Sequence, residues 1–379
     1  MIKNLRRAVL RALSCAAVVA QVSSAAAQAA SPAPAPPTGS TAPAAPPLQA
    51  CFVYVSPIGQ AGWTYQHEQG RLALQQTMGA QVLTRAVEGV AEGADSERVM
   101  RGLARDGCGL IFATSFGYLE PALRVAAEFP NVKFEHAGGY KTAPNLNTYN
   151  ARYYEARWLA GWLAGRTSKT GVAGYVAGFP VPEVVQGINA FALGMRAANP
   201  RAEVKVLWLN AWFDPGRERD AALSLVAQGA DLLTNHSGSP AVAQVAQDKG
   251  VRLVAYQSDM RAFAPTAQLA AVTHHWGGYY TQVARAVLAG TWQTKPVWSG
   301  MASGLVQLTA VDASLPAALR AELVVLQQAV QSGMRLPFTA PLLDNAGRQR
   351  LAAGSLSDAQ IAGMDWFVQG VSGSLPLAR

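Results

Sequence analysis

Cysteine is nearly absent from this chain, with three residues in 379. That scarcity excludes a disulfide-dense scaffold and any cysteine-rich zinc module. Histidine is almost as sparse at five residues, and charged residues make up only 14% of the sequence. With hydrophobic residues at 50%, so little charge excludes wholesale disorder, which needs the opposite balance. No apolar run approaches the roughly 20 residues of a bilayer-spanning helix. What remains is a chain long enough for about two folded units with sizeable cores.

The formal net charge of +8 is unevenly placed. Lys3, Arg6, Arg7 and Arg11 fall within the first 30 residues, which hold no acid, and subtracting those four from +8 leaves +4. The apolar stretch Ala12 to Ala20 and the small residues Ala25, Ala26 and Ala27 complete the pattern of a secretory signal peptide over residues 1–29. Cleavage after Ala27 or Ala29 satisfies the pattern equally. Cys15 follows Arg11 too closely, inside the apolar segment, to be an acylation site, so a lipid anchor is not expected. The uncharged stretch Gln28 to Gln49 carries seven prolines, and residues 30–49 are expected to form an extended leader. The protein is expected in the periplasm. Its modest remaining charge, with no basic aromatic stripe, argues against nucleic-acid binding.

From residue 50 onward strand-like and helix-like segments alternate. Phe52–Ser56, Gln81–Val87, Leu110–Thr114, Val132–His136, Val172–Val176, Val204–Leu209, Leu232–Asn235, Leu253–Tyr256 and Ala270–His274 are candidate strands. Several are continuous aliphatic runs, as expected for strands covered on both faces by crossover helices. The pattern predicts an α/β protein of two lobes, each a parallel sheet flanked by helices. The first lobe is placed at 50–150, the second at 151–272, a return to the first at 273–308, and a C-terminal helix and tail at 309–379. Cys51 and Cys108 each precede or begin a predicted strand. If those strands are parallel neighbours a disulfide is geometrically possible, and two buried free thiols are the equal alternative.

Ligands of open parallel sheets bind beyond the carboxyl ends of the strands. Here those ends carry Trp63, Tyr65, Phe116, Trp212, Phe213, Asp259 and Trp276 among hydroxyls and amides, without a lysine or arginine cluster. Such a set suits a flat, largely neutral, hydrogen-bonding molecule held by stacking, and not a polyanion. Trp158 and Trp162, in mid-helix, are expected in the core. Catalytic motifs are missing: His67-Glu68 begins a zinc-protease pattern that fails at Arg71. The histidines His67, His136, His236, His274 and His275 lack the cysteine or paired-carboxylate support of a metal site. Hydrolysis by His274, His275 and Asp259 has no motif behind it. No catalytic residue, metal or cofactor is expected.

The runs Val55-Ser56-Pro57-Ile58-Gly59 through His67, Ala113-Thr114-Ser115-Phe116-Gly117, Phe134-Glu135-His136, Trp212-Phe213-Asp214-Pro215-Gly216, Ser258-Asp259-Met260 and Met364-Asp365-Trp366-Phe367 resemble the basic membrane protein family. Its members are substrate-binding proteins of ABC importers, similar to the purine nucleoside receptor, with a type I periplasmic-binding-protein fold. The resemblance implies a purine-like ligand, nucleobase or nucleoside, sandwiched by aromatics. By position it implies stacking by Trp212 with Phe213 beside it, an acid at Asp259, and further contacts at Trp63 and Phe116. It also implies an ABC permease as partner, and a monomer is expected. Several family acids are replaced here, by Gln60, by Gly238 and by the His274-His275 pair, which favours a bare base such as adenine over a nucleoside. A sugar or amide carrier and a receptor-coupled sensor are the alternatives.

Overall fold

The structure is a computed structural model and describes residues 46–376. The expected signal peptide and nearly all of the proline-rich leader lie outside the described residues. The first sheet is built from β1 (Leu48–Val53), β2 (Val82–Val87), β3 (Leu110–Ala113), β4 (Lys133–Ala137) and β5 (Leu146–Ala151). Its helices are α1 (Gly62–Met78), α2 (Ala94–Arg105) and α3 (Leu119–Glu128). After α4 (Tyr153–Thr167) the second sheet follows, with β6 (Val172–Ala177), β7 (Glu203–Trp208), β8 (Leu232–His236), β9 (Arg252–Gln257) and β10 (Gln268–His274). It alternates with α5 (Pro182–Ala198), α6 (Pro215–Ala227) and α7 (Ala241–Lys249).

Strand order is β2-β1-β3-β4-β5 in the first sheet and β7-β6-β8-β9-β10 in the second, and all these pairs are parallel. Both sheets therefore reverse order at their first strand, and two such switch points face one another. Parallel strands buried on both faces account for their near-continuous apolar character, as in β3, where Leu110, Ile111, Phe112 and Ala113 are all fully buried.

The segment 273–308, expected in the first lobe, is divided between the two sheets. Helix α8 (Gly277–Leu288) packs on α1, and β11 (Val297–Ser299) joins β5 at the edge of the first sheet. The chain then turns through Gly304, whose φ of +76° favours glycine, and β12 (Val306–Thr309) pairs antiparallel with β10 in the second sheet. Three strands of chain thus cross between the lobes, near Arg152, His275 and Gly300. The C-terminal region is integrated as well: α9 (Ala317–Gln331) packs on α4, and Val371–Ser372 adds a short parallel strand to β7.

Trp158 and Trp162 are buried, on a helix that lies against α5 backbone to backbone. Any Cβ at Gly161 or Gly194 would overlap a carbonyl of the facing helix, so those two glycines set the close approach. In the first lobe, Cys51 on β1 and Cys108 just before β3 form a disulfide with Cα atoms 6.0 Å apart. Their strands are parallel neighbours, with Cys51 level with Ile111, and Cys108 lies three residues earlier, in the connection that leads from α2 into β3.

Candidate functional site

The carboxyl ends of β1, β3, β4, β6, β8 and β9 meet at a narrow cavity between the two lobes. This is where paired switch points place a ligand. Trp63 and Phe116 enter from the first lobe, Trp212 and Phe213 from the second. Trp63 stands in the first turn of α1, its indole N–H donating to the Thr114 carbonyl at 2.7 Å. Trp212 donates from Nε1 to Glu92 of the first lobe at 3.1 Å, and Phe179 packs edge-on to its ring at 4.9 Å between centroids. Hydrogen bonds at their rims hold both indoles in place, leaving ring faces to meet a guest. Phe213 is 37% exposed and sits at the rim.

Most polar groups of the lining are already engaged. Ser56 pairs with Thr64 at 2.7 Å, Ser115 donates to Glu92 at 2.6 Å, and Ser237 donates to the buried Glu218 at 2.8 Å. Glu183, His236 and Gln257 are different. Glu183 accepts from Asn150 Nδ2 at 3.0 Å through Oε2, while Oε1 faces His236 Nε2 at 3.8 Å. That separation is too long for a hydrogen bond. Burial pushes the Glu183 carboxyl up to about 7, partly offset by the bond from Asn150. The positive end of the α5 dipole favours its ionised form by about 0.3–1 kcal/mol, less than burial takes away. Burial, with the Arg157 charge nearby, holds His236 well below the usual histidine range, so its imidazole is neutral. No arginine or lysine lines the cavity.

Three of the expected contacts lie elsewhere. Trp276 is buried behind Trp63, its ring 6.1 Å from Trp63 and stacked on His67 at 5.0 Å. It is a supporting wall. Tyr65 is half-buried on α1, outside the lining. Asp259 does not reach the cavity: Arg261 pairs with it at 2.5 Å and Gln268 Nε2 donates to it at 2.9 Å. Although its partial burial works against this, those bonds keep its carboxyl below the usual range. Glu183 and Gln257 occupy the cavity instead. Glu183 stands in the first turn of α5 behind Pro182, and Gln257 ends β9, one residue beyond the expected strand Leu253–Tyr256. Among the described residues no group of three or more His, Cys, Asp or Glu is placed to hold a metal, and no helix is long and apolar enough to cross a membrane.

The lobes touch around the cavity. Gly62 N donates to Ser258 Oγ at 2.7 Å, Asn150 reaches across to Glu183, and a Cβ at Gly62 would overlap the Gly238 carbonyl. The backbone at Gly62 has a φ of +92°, a region that suits glycine, so this one residue permits both the turn into α1 and the shut cleft.

Two facing parallel sheets with three crossing segments and a cleft at the switch points define a type I solute-binding architecture. An ABC transporter solute-binding protein from Conexibacter woesei superposes with a TM-score of 0.63 at 23% identity, covering 76% of this chain and 98% of that one. The family described as ABC transporter substrate-binding protein PnrA-like matches residues 48–333, and the chain belongs to this family. A purine-binding protein of Brucella abortus is 48% identical over 339 residues, 89% of this chain and 97% of that protein. A Haloferax volcanii protein provisionally named an ABC transporter glucose-binding protein is 40% identical over 261 residues, 69% of this chain and 66% of that one.

Proposed function

We propose that this chain is the exported, ligand-delivering component of an ABC importer and that it carries a purine-like base between its lobes. The observation that carries the reading is the aromatic set Trp63, Phe116, Trp212 and Phe213, drawn from both lobes around a cavity free of basic side chains. Stacking on a flat heterocycle is the interaction such a set favours. The purine-binding relative in Brucella abortus supports the same class of ligand. A bare base such as adenine fits better than a nucleoside, since Gln60, Gly238 and His274-His275 stand where family acids are expected. The basic, apolar and small-residue order of residues 1–29 supports export to the periplasm by a cleaved signal peptide. There the protein acts as a monomer, and closure over the ligand presents a surface to the membrane permease. The reading assigns no catalytic residue, metal or cofactor.

A sugar carrier is the second reading, favoured by the Haloferax relative named for glucose. One experiment separates them. The purified protein is denatured and removed, the supernatant is examined by absorbance and mass, and the refolded protein is melted with adenine, hypoxanthine, adenosine and glucose. A purine ligand at a hundredfold excess over Kd stabilises by about 2.7 kcal/mol. Stabilisation by glucose alone overturns the purine reading.

A further inference from the structure

Three side chains in the cavity, Glu183, His236 and Gln257, have hydrogen-bonding capacity that no protein group uses, and two of them can offer a donor beside an acceptor on one edge. Gln257 lines the cavity at the end of β9, is 3% exposed, and its Oε1 has no protein partner. Its backbone lies at a φ of +71°. That region is uncommon for a residue other than glycine, asparagine or aspartate, and such strain gathers at ligand clamps. Glu183 is the second: its Oε1 makes no hydrogen bond, and Oε2, which accepts one from Asn150, keeps acceptor capacity for a guest.

We propose that Glu183 and Gln257 choose among purine bases, Glu183 binding as the neutral carboxylic acid, so that the site prefers a 6-aminopurine to a 6-oxopurine. The proposal rests on the purine reading above. Its chemistry is a matching of edges. A carboxylic acid offers an O–H beside a carbonyl oxygen, and a primary amide offers an N–H beside one. Adenine presents a ring-nitrogen acceptor next to the N6 donor on both its N1 and its N7 side, whereas a 6-oxopurine shows two acceptors, N7 and O6, on the latter. Two donor–acceptor pairs in the protein are therefore both satisfied by adenine. With a 6-oxopurine one pair sets a carbonyl oxygen against an acceptor, a buried mismatch. Ionised Glu183 would oppose the adenine ring nitrogen with a second acceptor and would suit the adjacent N–H donors of guanine.

The surroundings of Glu183 favour its neutral form over the ionised one, relative to a carboxyl in water. It faces His236 from β8, Tyr153 from α4, Tyr256 from β9 and Asn150 from β5. Arg157, the cation whose charge acts on His236 and Tyr256, spends its guanidinium on Thr234 Oγ1, the Asn235 carbonyl and the Tyr256 ring. Burial takes the carboxyl to about 7 and keeps His236 neutral and Tyr153 and Tyr256 protonated. Near neutral pH, Glu183 is then the cavity-lining group that changes charge.

The test is calorimetric titration of the full protein with adenine, hypoxanthine and guanine between about pH 5.5 and 8.5, spanning the Glu183 transition. Adenine affinity should be level at the acid end and fall toward tenfold per pH unit above about pH 7. Guanine should gain on adenine over the same interval. Glu183→Gln keeps a donor–acceptor pair, so it should hold adenine within about threefold of the parent and lose the pH dependence. Gln257→Leu should lose adenine by roughly 5- to 100-fold while keeping that dependence. Level adenine affinity in the parent across this range overturns the proposal, and that measurement needs no variant. Failure of every purine to bind overturns the purine reading and this one together.

Discussion

The indole N–H of Trp212 donates 3.1 Å across the cleft to Glu92, the carboxylate that also accepts from Ser115 Oγ and Gly117 N. One acid in the β2–α2 loop therefore organises the first-lobe wall and fastens the second-lobe aromatic to it. Trp212→Phe keeps a stacking ring and removes the donor, and Glu92→Ala removes the acceptor. A single hydrogen bond contributes about 0.5–1.5 kcal/mol, and Glu92 is exposed, so each change should raise Kd by about twofold to tenfold. The loss should appear in the dissociation rate. In a double-mutant cycle followed by stopped flow, the second substitution should add little. Full additivity would mean the contact does not hold the cleft shut.

Trp63 and Trp276 are near neighbours with opposite expected phenotypes. Trp63 presents its ring to the cavity, so Trp63→Ala should weaken ligand binding by about tenfold or more, from stacking and lost contact area. Trp276 is 1% exposed and stacks on His67. Trp276→Ala should cost about 3–5 kcal/mol of stability, read by chemical denaturation. Asp259→Ala should leave binding near the parent value, because its carboxylate serves Arg261 and Gln268 outside the cavity. A large loss of binding there would return Asp259 to the site.

Several of the nine strands visible in the sequence are continuous aliphatic runs, and those runs exist because helices cover both faces of each sheet. Strand β5 escaped because Leu146–Ala151 reads Leu-Asn-Thr-Tyr-Asn-Ala, half polar and with neither an aliphatic run nor a regular alternation. Its asparagines have partners that only the fold supplies: Asn147 donates to Glu135 and Asn150 to Glu183. β11 and β12 are too short to show a period. In the site, aromatics at strand ends were legible from type and position. Glu183 and Gln257 were not, since their role depends on which buried groups lack partners, a property of the assembled cavity.

The disulfide between Cys51 and Cys108 closes a loop with a sequence separation of 57. Constraining that loop in the unfolded chain is worth about 4 kcal/mol in the chain-entropy account, and measured values fall about 2–4 kcal/mol. Reduction, or a Cys51→Ala/Cys108→Ala double substitution, should lower the urea midpoint with ligand affinity little changed, since the pair lies in the first-lobe core away from the cavity. An unchanged midpoint under reducing conditions would show that the bridge adds nothing.

Four imidazoles are buried around the cavity, His136 and a group of three formed by His67, His236 and His274, at 0%, 2% and 0% exposure. Tyr153 approaches His274 at 4.6 Å and Tyr256 approaches His236 at 4.6 Å between ring centroids. Burial holds all three well below the usual histidine range, and neighbouring positive charge lowers His274 further. In the unfolded chain each titrates near about 6.5. Below that value the unfolded state binds protons that the native state refuses, so stability falls with acidity by about 1.4 kcal/mol per pH unit for each such histidine. The buried carboxyls act in the opposite sense. Glu135 and Glu183 titrate at about 7 in the native state, above their unfolded value of about 4.3, so their contribution is complete at low pH and is lost as pH rises through 7. A single substitution isolates the histidine effect. Both ring nitrogens of His274 lack protein partners, and His274→Phe removes the titration while keeping a ring. Urea denaturation of parent and variant should give stabilities that diverge below about pH 6, by about 1.4 kcal/mol per unit in favour of the variant. Parallel curves would mean that His274 takes up its proton in the native protein.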